Sequence, residues 1–114
     1  MPAHEDLRFE QLGEVVLAHV RGEVDLSNVS PVRAQLLKAV PNAATALVLD
    51  LSETDHLDSS GVRLIFELSE RLESRGQKLR LVVPEGSAVG RVLDITGVHR
   101  VVPVAHSVGG VLTD

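Results

Sequence analysis

Short runs dominated by valine and leucine alternate along this chain with segments whose apolar residues recur every three or four positions. Few architectures accommodate that alternation. The strand-like runs are Glu14–Val20 (EVVLAHV), Ala46–Leu51 (ALVLDL), Leu79–Val83 (LRLVV) and Arg100–Val104 (RVVPV), each bounded by Gly, Pro, Ser or Asp. Leu47-Val48-Leu49 is apolar on both faces, as a strand buried between two layers must be. Leu7–Leu12 reads as a further edge strand, returning into Glu14–Val20 through a turn at Gly13.

The intervening segments read as helices. The first starts between Ser27 and Ser30, with Pro31 in its opening turn, where a missing N–H is harmless. Val32, Leu36, Leu37 and Val40 form its stripe, and Pro41 ends it. The second follows Asp58-Ser59-Ser60-Gly61. Val62, Ile65, Phe66, Leu68 and Leu72 face inward, Arg63, Glu67 and Arg71 form a solvated row, and Gly76 stops it. The third runs from Ser87, behind a Glu85-Gly86-Ser87 cap, to about Thr96, with Val89, Val92 and Leu93 inward and Gly97 as its stop. A last short helix follows Ser107, although Gly109 and Gly110 each cost about 1 kcal/mol against alanine in a helix interior. The order β-β-α-β-α-β-α-β-α predicts an α/β fold. Its mixed sheet has four to five strands, mostly parallel with an antiparallel edge, and about four helices pack against it. A chain of 114 residues has room for one such domain, spanning residues 1–114.

Composition narrows the function classes. One third of the residues are Val, Leu or Ile, so a core is assured, while Phe9 and Phe66 are the only aromatics. Two phenylalanines make no base-stacking platform, and a net charge of −5 disfavours nucleic-acid capture. Without cysteine there is no thiolate nucleophile or thiolate zinc site. His4, His19, His56, His99 and His106 show no metal-ligand spacing, and surface or satisfied core roles are expected for them. No apolar run approaches the roughly 20 residues that span a bilayer, and the first ten residues lack the apolar stretch of a signal peptide, so a cytoplasmic protein without membrane insertion is expected.

The chemically informative stretch is Leu47–Gly61, LVLDLSETDHLDSSG. It delivers Asp58-Ser59-Ser60-Gly61 to a helix N-terminus, where free N–H groups and the helix dipole favour an anion such as phosphate. One serine is expected to cap the helix, leaving the other hydroxyl free, and Gly61 allows a close approach to the backbone. Plain capping explains the same four residues. Arg21-Gly22-Glu23-Val24-Asp25-Leu26-Ser27 likewise leaves a strand and enters a helix, so parallel strands would bring Asp25 and Ser59 to one edge, where ligand and partner sites gather.

Three segments together resemble a STAS domain of the bacterial anti-sigma factor antagonist type. They are Gly22-Glu23-Val24-Asp25, Leu49-Asp50-Leu51 followed by Asp58-Ser59-Ser60-Gly61, and Gly90-Arg91-Val92-Leu93-Asp94-Ile95-Thr96-Gly97-Val98. The resemblance implies that the unphosphorylated protein binds an anti-sigma factor of GHKL-type serine kinase fold and frees the sigma factor. It also implies that phosphorylation of the first serine, Ser59, ends binding, and that a serine phosphatase resets it. Asp58, Ser60, Gly61 and Val62 would shape the docking surface with Asp25, flanked by Leu26 and Asn28. No cofactor, metal or catalytic group is implied, and the protein would be a monomer or weak dimer. His56 stands where the family commonly has a small or apolar residue, and Gly109-Gly110 departs from a usually more regular last helix.

Asp55, His56, Asp58 and Ser59 superficially suggest a hydrolase, but triads draw on distant segments and no G-x-S-x-G elbow is present. Nucleotide binding by the domain itself would need a site other than a P-loop, which is absent. The principal alternative is another STAS role: a scaffold subunit of a stress-signalling assembly, or an accessory subunit of a membrane transporter.

Overall fold

In the computed structural model, which describes residues 6–112, strands β1 (Leu7–Leu12) and β2 (Val15–Val20) form an antiparallel hairpin. Gly13 occupies the first of the two turn positions at φ +64°, and no other residue of the turn has positive φ, the pattern of a type II′ turn. Three further strands extend this sheet in parallel: β4 (Ala46–Asp50) beside β2, β6 (Lys78–Val82) beside β4, and β7 (Val104–Ala105) at the far edge. The five-stranded mixed sheet with one antiparallel edge is the architecture read from the alternating pattern.

Helices α1 (Val29–Ala39), α2 (Ser59–Ser74) and α3 (Ala88–Thr96) cover one face. Val32 and Leu36 of α1, Leu64, Ile65, Leu68 and Leu72 of α2, and Val89 and Leu93 of α3 pack there against Ala18, Leu47, Leu49 and Leu81. On the opposite face the five-residue α4 (Val108–Leu112) brings Val111 against Leu17, Val48 and Val82. All five residues of β4 are therefore buried, as its two-sided apolar sequence requires.

The elements depart from the sequence expectations at several points. Two strands lie outside those expected: β3 (Gly22–Val24) and β5 (Thr54–Leu57) pair in parallel as a small second sheet, which includes His56. The expected strand Arg100–Val104 is instead a 3-10 turn over Val98–Arg100 followed by the two-residue β7. Gly97, at φ +81°, caps α3 and leads straight into that turn, which buries Val98. Pro103, having no N–H, contributes its carbonyl to Leu81 at 3.0 Å. The row Arg63, Glu67 and Arg71 is not wholly solvated, because Glu67 binds Arg33 of α1 at 3.0 Å. Leu64, outside the expected stripe of α2, is buried. The short helix expected after Ser107 does form, with Ser107 Oγ accepting from the Gly110 N–H at 3.1 Å. His4 lies outside the described residues.

Candidate functional site

The parallel pairing of β3 with β5 sets the site. Val24 lies opposite Leu57, so the next residue of each strand, Asp25 and Asp58, leaves the ladder at the same edge. The Asp58 N–H donates to the Val24 carbonyl at 3.3 Å and closes the junction. Asp58 then caps α2: its Oδ1 accepts from the N–H groups of Ser60 at 2.8 Å and Gly61 at 3.2 Å. Its Oδ2 reaches the other segment, accepting from the Leu26 N–H at 3.2 Å. One carboxylate therefore ties the start of α2 to the loop ahead of α1.

This corrects the expectation that a serine caps α2. Aspartate and serine are comparable caps, and the extended backbone at Asp58 (φ −95°, ψ −169°) gives the role to the aspartate. Neither Ser59 nor Ser60 spends its hydroxyl on a hydrogen bond among the described residues. Ser59, the first residue of the helix, is exposed, and Ser60 is half-buried.

Gly61 is where α2 meets the small sheet. A Cβ at this position would lie 3.0 Å from the Val24 carbonyl oxygen and 3.0 Å from Leu57 Cδ2. The close approach expected at this glycine is to the protein's own strands.

The loop from β3 to α1 is held by side chains. Asn28 Oδ1 accepts from the Asp25 N–H at 2.9 Å, and its Nδ2 donates to the Glu23 carbonyl at 2.7 Å. Asn28 thus braces the loop and makes no side-chain cap to α1. Asp25 Oδ1 accepts from the hydroxyl of Ser27 at 2.5 Å and from its N–H at 2.9 Å. These two bonds, the hydroxyl first, hold the Asp25 carboxyl below its ordinary range, so it carries full charge near neutrality. The loop presents Leu26 to solvent with 78% of its surface exposed.

The residues singled out in the sequence therefore divide by depth. Ser59 and Leu26 are exposed, Asp25, Asn28, Asp58 and Ser60 are half-buried, and Gly61 and Val62 are buried beneath them. The Leu26 N–H is hydrogen-bonded to Asp58, Asp25 precedes Leu26 in the chain, and Ser59 follows Asp58 directly. Sequence reasoning missed Ser27, although an aspartate two residues before a serine is an Asx-turn pattern that marks it. The result is a surface with an apolar tip, two carboxylates and a free hydroxyl at a helix start. Chemically it offers an accessible hydroxyl nucleophile beside charged and apolar groups. No group of three or more His, Asp or Glu side chains suited to a metal occurs among the described residues.

Comparison with known proteins gives concordant results. A family model described as the STAS domain matches residues 6–110. The anti-sigma-F factor antagonist RsfB of Mycobacterium tuberculosis is 30% identical over 87 residues, covering 75% of this chain and 69% of RsfB. RsfA of the same organism, also named an anti-sigma-F factor antagonist, is 32% identical over 91 residues, covering 78% of this chain and 70% of RsfA. Among solved structures, an anti-sigma factor antagonist from Mycobacterium paratuberculosis superposes with a TM-score of 0.83 at 23% identity, over 94% of this chain and 90% of that one, a likeness of fold. No helix among the described residues is long and apolar enough to cross a membrane.

Proposed function

The chain belongs to the STAS domain family, and from that premise we propose that it is an anti-sigma factor antagonist switched by phosphorylation of Ser59. In this reading residues 1–114 form one cytoplasmic domain with no catalysis of its own. It binds an anti-sigma factor of GHKL-type serine kinase fold through Asp25, Leu26, Asn28, Asp58 and Ser60, with Gly61 and Val62 supporting that surface from below. Binding frees the sigma factor, the bound kinase phosphorylates Ser59, and a serine phosphatase restores the starting state.

The observation that carries this reading is the division of labour at the start of α2. Asp58 does the capping, which leaves the Ser59 hydroxyl exposed and uncommitted. Ser60, half-buried on the next position, is the poorer acceptor. A phosphate on Ser59 adds about −1.5 to −2 charges at pH 7. The helix dipole favours an anion there, so the fold tolerates it. Inside a docked interface the same charge sits beside the Asp58 carboxylate and must be desolvated, so the complex is lost while the domain stays folded.

The test is incubation with the cognate kinase and ATP, followed by site mapping by mass spectrometry. One phosphate on Ser59 is expected, with none on Ser59→Ala. Ser59→Glu should keep the thermal transition of the parent while losing affinity for the anti-sigma factor. Phosphate persisting on Ser59→Ala sinks the assignment.

A further inference from the structure

Strand β1 ends the five-stranded sheet and has no neighbour on its outer side among the described residues. It is six residues long, with no proline, glycine or bulge to discourage pairing. Its hydrogen-bonding parity is fixed by the bond from the Arg21 N–H to the Asp6 carbonyl at 2.9 Å, continuous with the register Leu7 to Val20. Because antiparallel residues alternate, Arg8, Glu10 and Leu12 turn their main-chain groups toward β2, and Leu7, Phe9 and Gln11 turn theirs outward.

We propose that this edge pairs antiparallel with β1 of a second copy of the chain, about a two-fold axis through Phe9, joining two five-stranded sheets into one. Charge selects both the occupant and the register. Centring on Phe9 sets Arg8 opposite Glu10 of the second copy, and Glu10 opposite its Arg8, so both cross-strand pairs are of opposite sign. Shifting the axis to residue 8 opposes arginine to arginine, and shifting it to residue 10 opposes glutamate to glutamate. Of these three registers, the Phe9-centred one alone is complementary, and it also pairs all three outward-facing residues: Phe9 with Phe9, and Leu7 with Gln11 in both directions. Phe9 is 39% exposed at the rim of the helix-covered face, and the axis would bring it against its own copy. In the single chain Arg8 lies 3.8 Å from Glu53 and Glu10 binds His19. The Arg8 and Glu10 side chains remain 68% and 53% exposed, open to a second contact.

The partner is thus another molecule of this protein, and the interface uses none of the residues around Ser59. Sedimentation velocity from about 10 µM to about 1 mM, the range that reads weak association, tests it. The mass should rise with concentration from 12.2 kDa toward twice that value. Phe9→Pro deletes an N–H that the single chain does not use, and edge strands tolerate proline there, so association should weaken at least tenfold. Arg8→Glu alone and Glu10→Arg alone should each stay monomeric, whereas an equimolar mixture of the two should form a one-to-one complex, because both cross-strand pairs are then restored. These exposed substitutions keep the test decisive if Phe9→Pro fails to fold. A parent that remains monomeric throughout, a mixture that does not associate, or association abolished by Ser59→Glu would overturn the proposal.

Discussion

Asp58 shows how much can rest on one side chain. Its two carboxylate oxygens serve different parts of the chain, α2 on one side and Leu26 on the other. The neighbouring Gly61 has no space for a side chain, whereas Gly109 in α4 has nothing within 4 Å of a Cβ. Alanine should therefore have opposite effects at the two glycines. At Gly61 it must push apart β3 and Leu57, a loss of about 1–3 kcal/mol. At Gly109 it should gain about 0.5–1 kcal/mol from helix propensity. Urea denaturation of both variants checks the sign. At this scale the sequence was informative about location and less so about role. Asp58-Ser59-Ser60-Gly61 was legible as a helix start, but the choice of cap between Asp58 and a serine depends on backbone angles that two comparably good caps do not reveal.

Between elements, His19 on β2 joins two neighbouring strands. Its Nδ1 lies 2.7 Å from Asp50 of β4 and its Nε2 2.5 Å from Glu10 of β1. Burial opposes the imidazolium, but the hydrogen bonds to Glu10 and then Asp50 outweigh it and raise the His19 pKa above 6.5. Burial likewise opposes the Asp50 carboxylate, and the bonds from Ser52 and His19 outweigh it and lower its pKa below 3.8. A raised histidine stabilises fully below its unfolded value and loses that contribution as pH rises through its folded value. A lowered aspartate stabilises above its unfolded value and loses it as pH falls through its folded value. Both are fully in place between pH 3.8 and pH 6.5. The stability difference between the parent and His19→Gln should be larger at about pH 5.5 than at about pH 8.5, read by chemical denaturation at each pH. Element boundaries followed the same logic as element existence. The long strands and α1–α3 were legible from periodicity. β3, β5 and β7, of three, four and two residues, are too short to carry a period, and neighbouring strands define them.

At the level of the whole molecule, the alternation of apolar runs and helical stripes was enough to give the mixed sheet and its covering helices, because each strand–helix–strand unit admits one favoured handedness. It was not enough to separate the small β3–β5 sheet from the main one, although that sheet brings Asp25 and Asp58 together. The same connectivity shapes how the chain finds its structure. Among the described residues only the β1–β2 ladder joins strands that are close in sequence. Val15 waits for Ala46, Ala46 for Lys78, and Leu81 for Val104. Each of those pairings must first close a long loop, and the entropy of closure is lost before any contact is gained. The hairpin is therefore the one piece of sheet that can be in place while the rest is still a coil, and its turn acts as a timing element. Gly13→Ala meets no neighbour within 4 Å and strains only the positive φ of the type II′ position, a loss of about 1–3 kcal/mol. In stopped-flow refolding that loss should appear chiefly as slower folding, with the unfolding limb nearly unchanged.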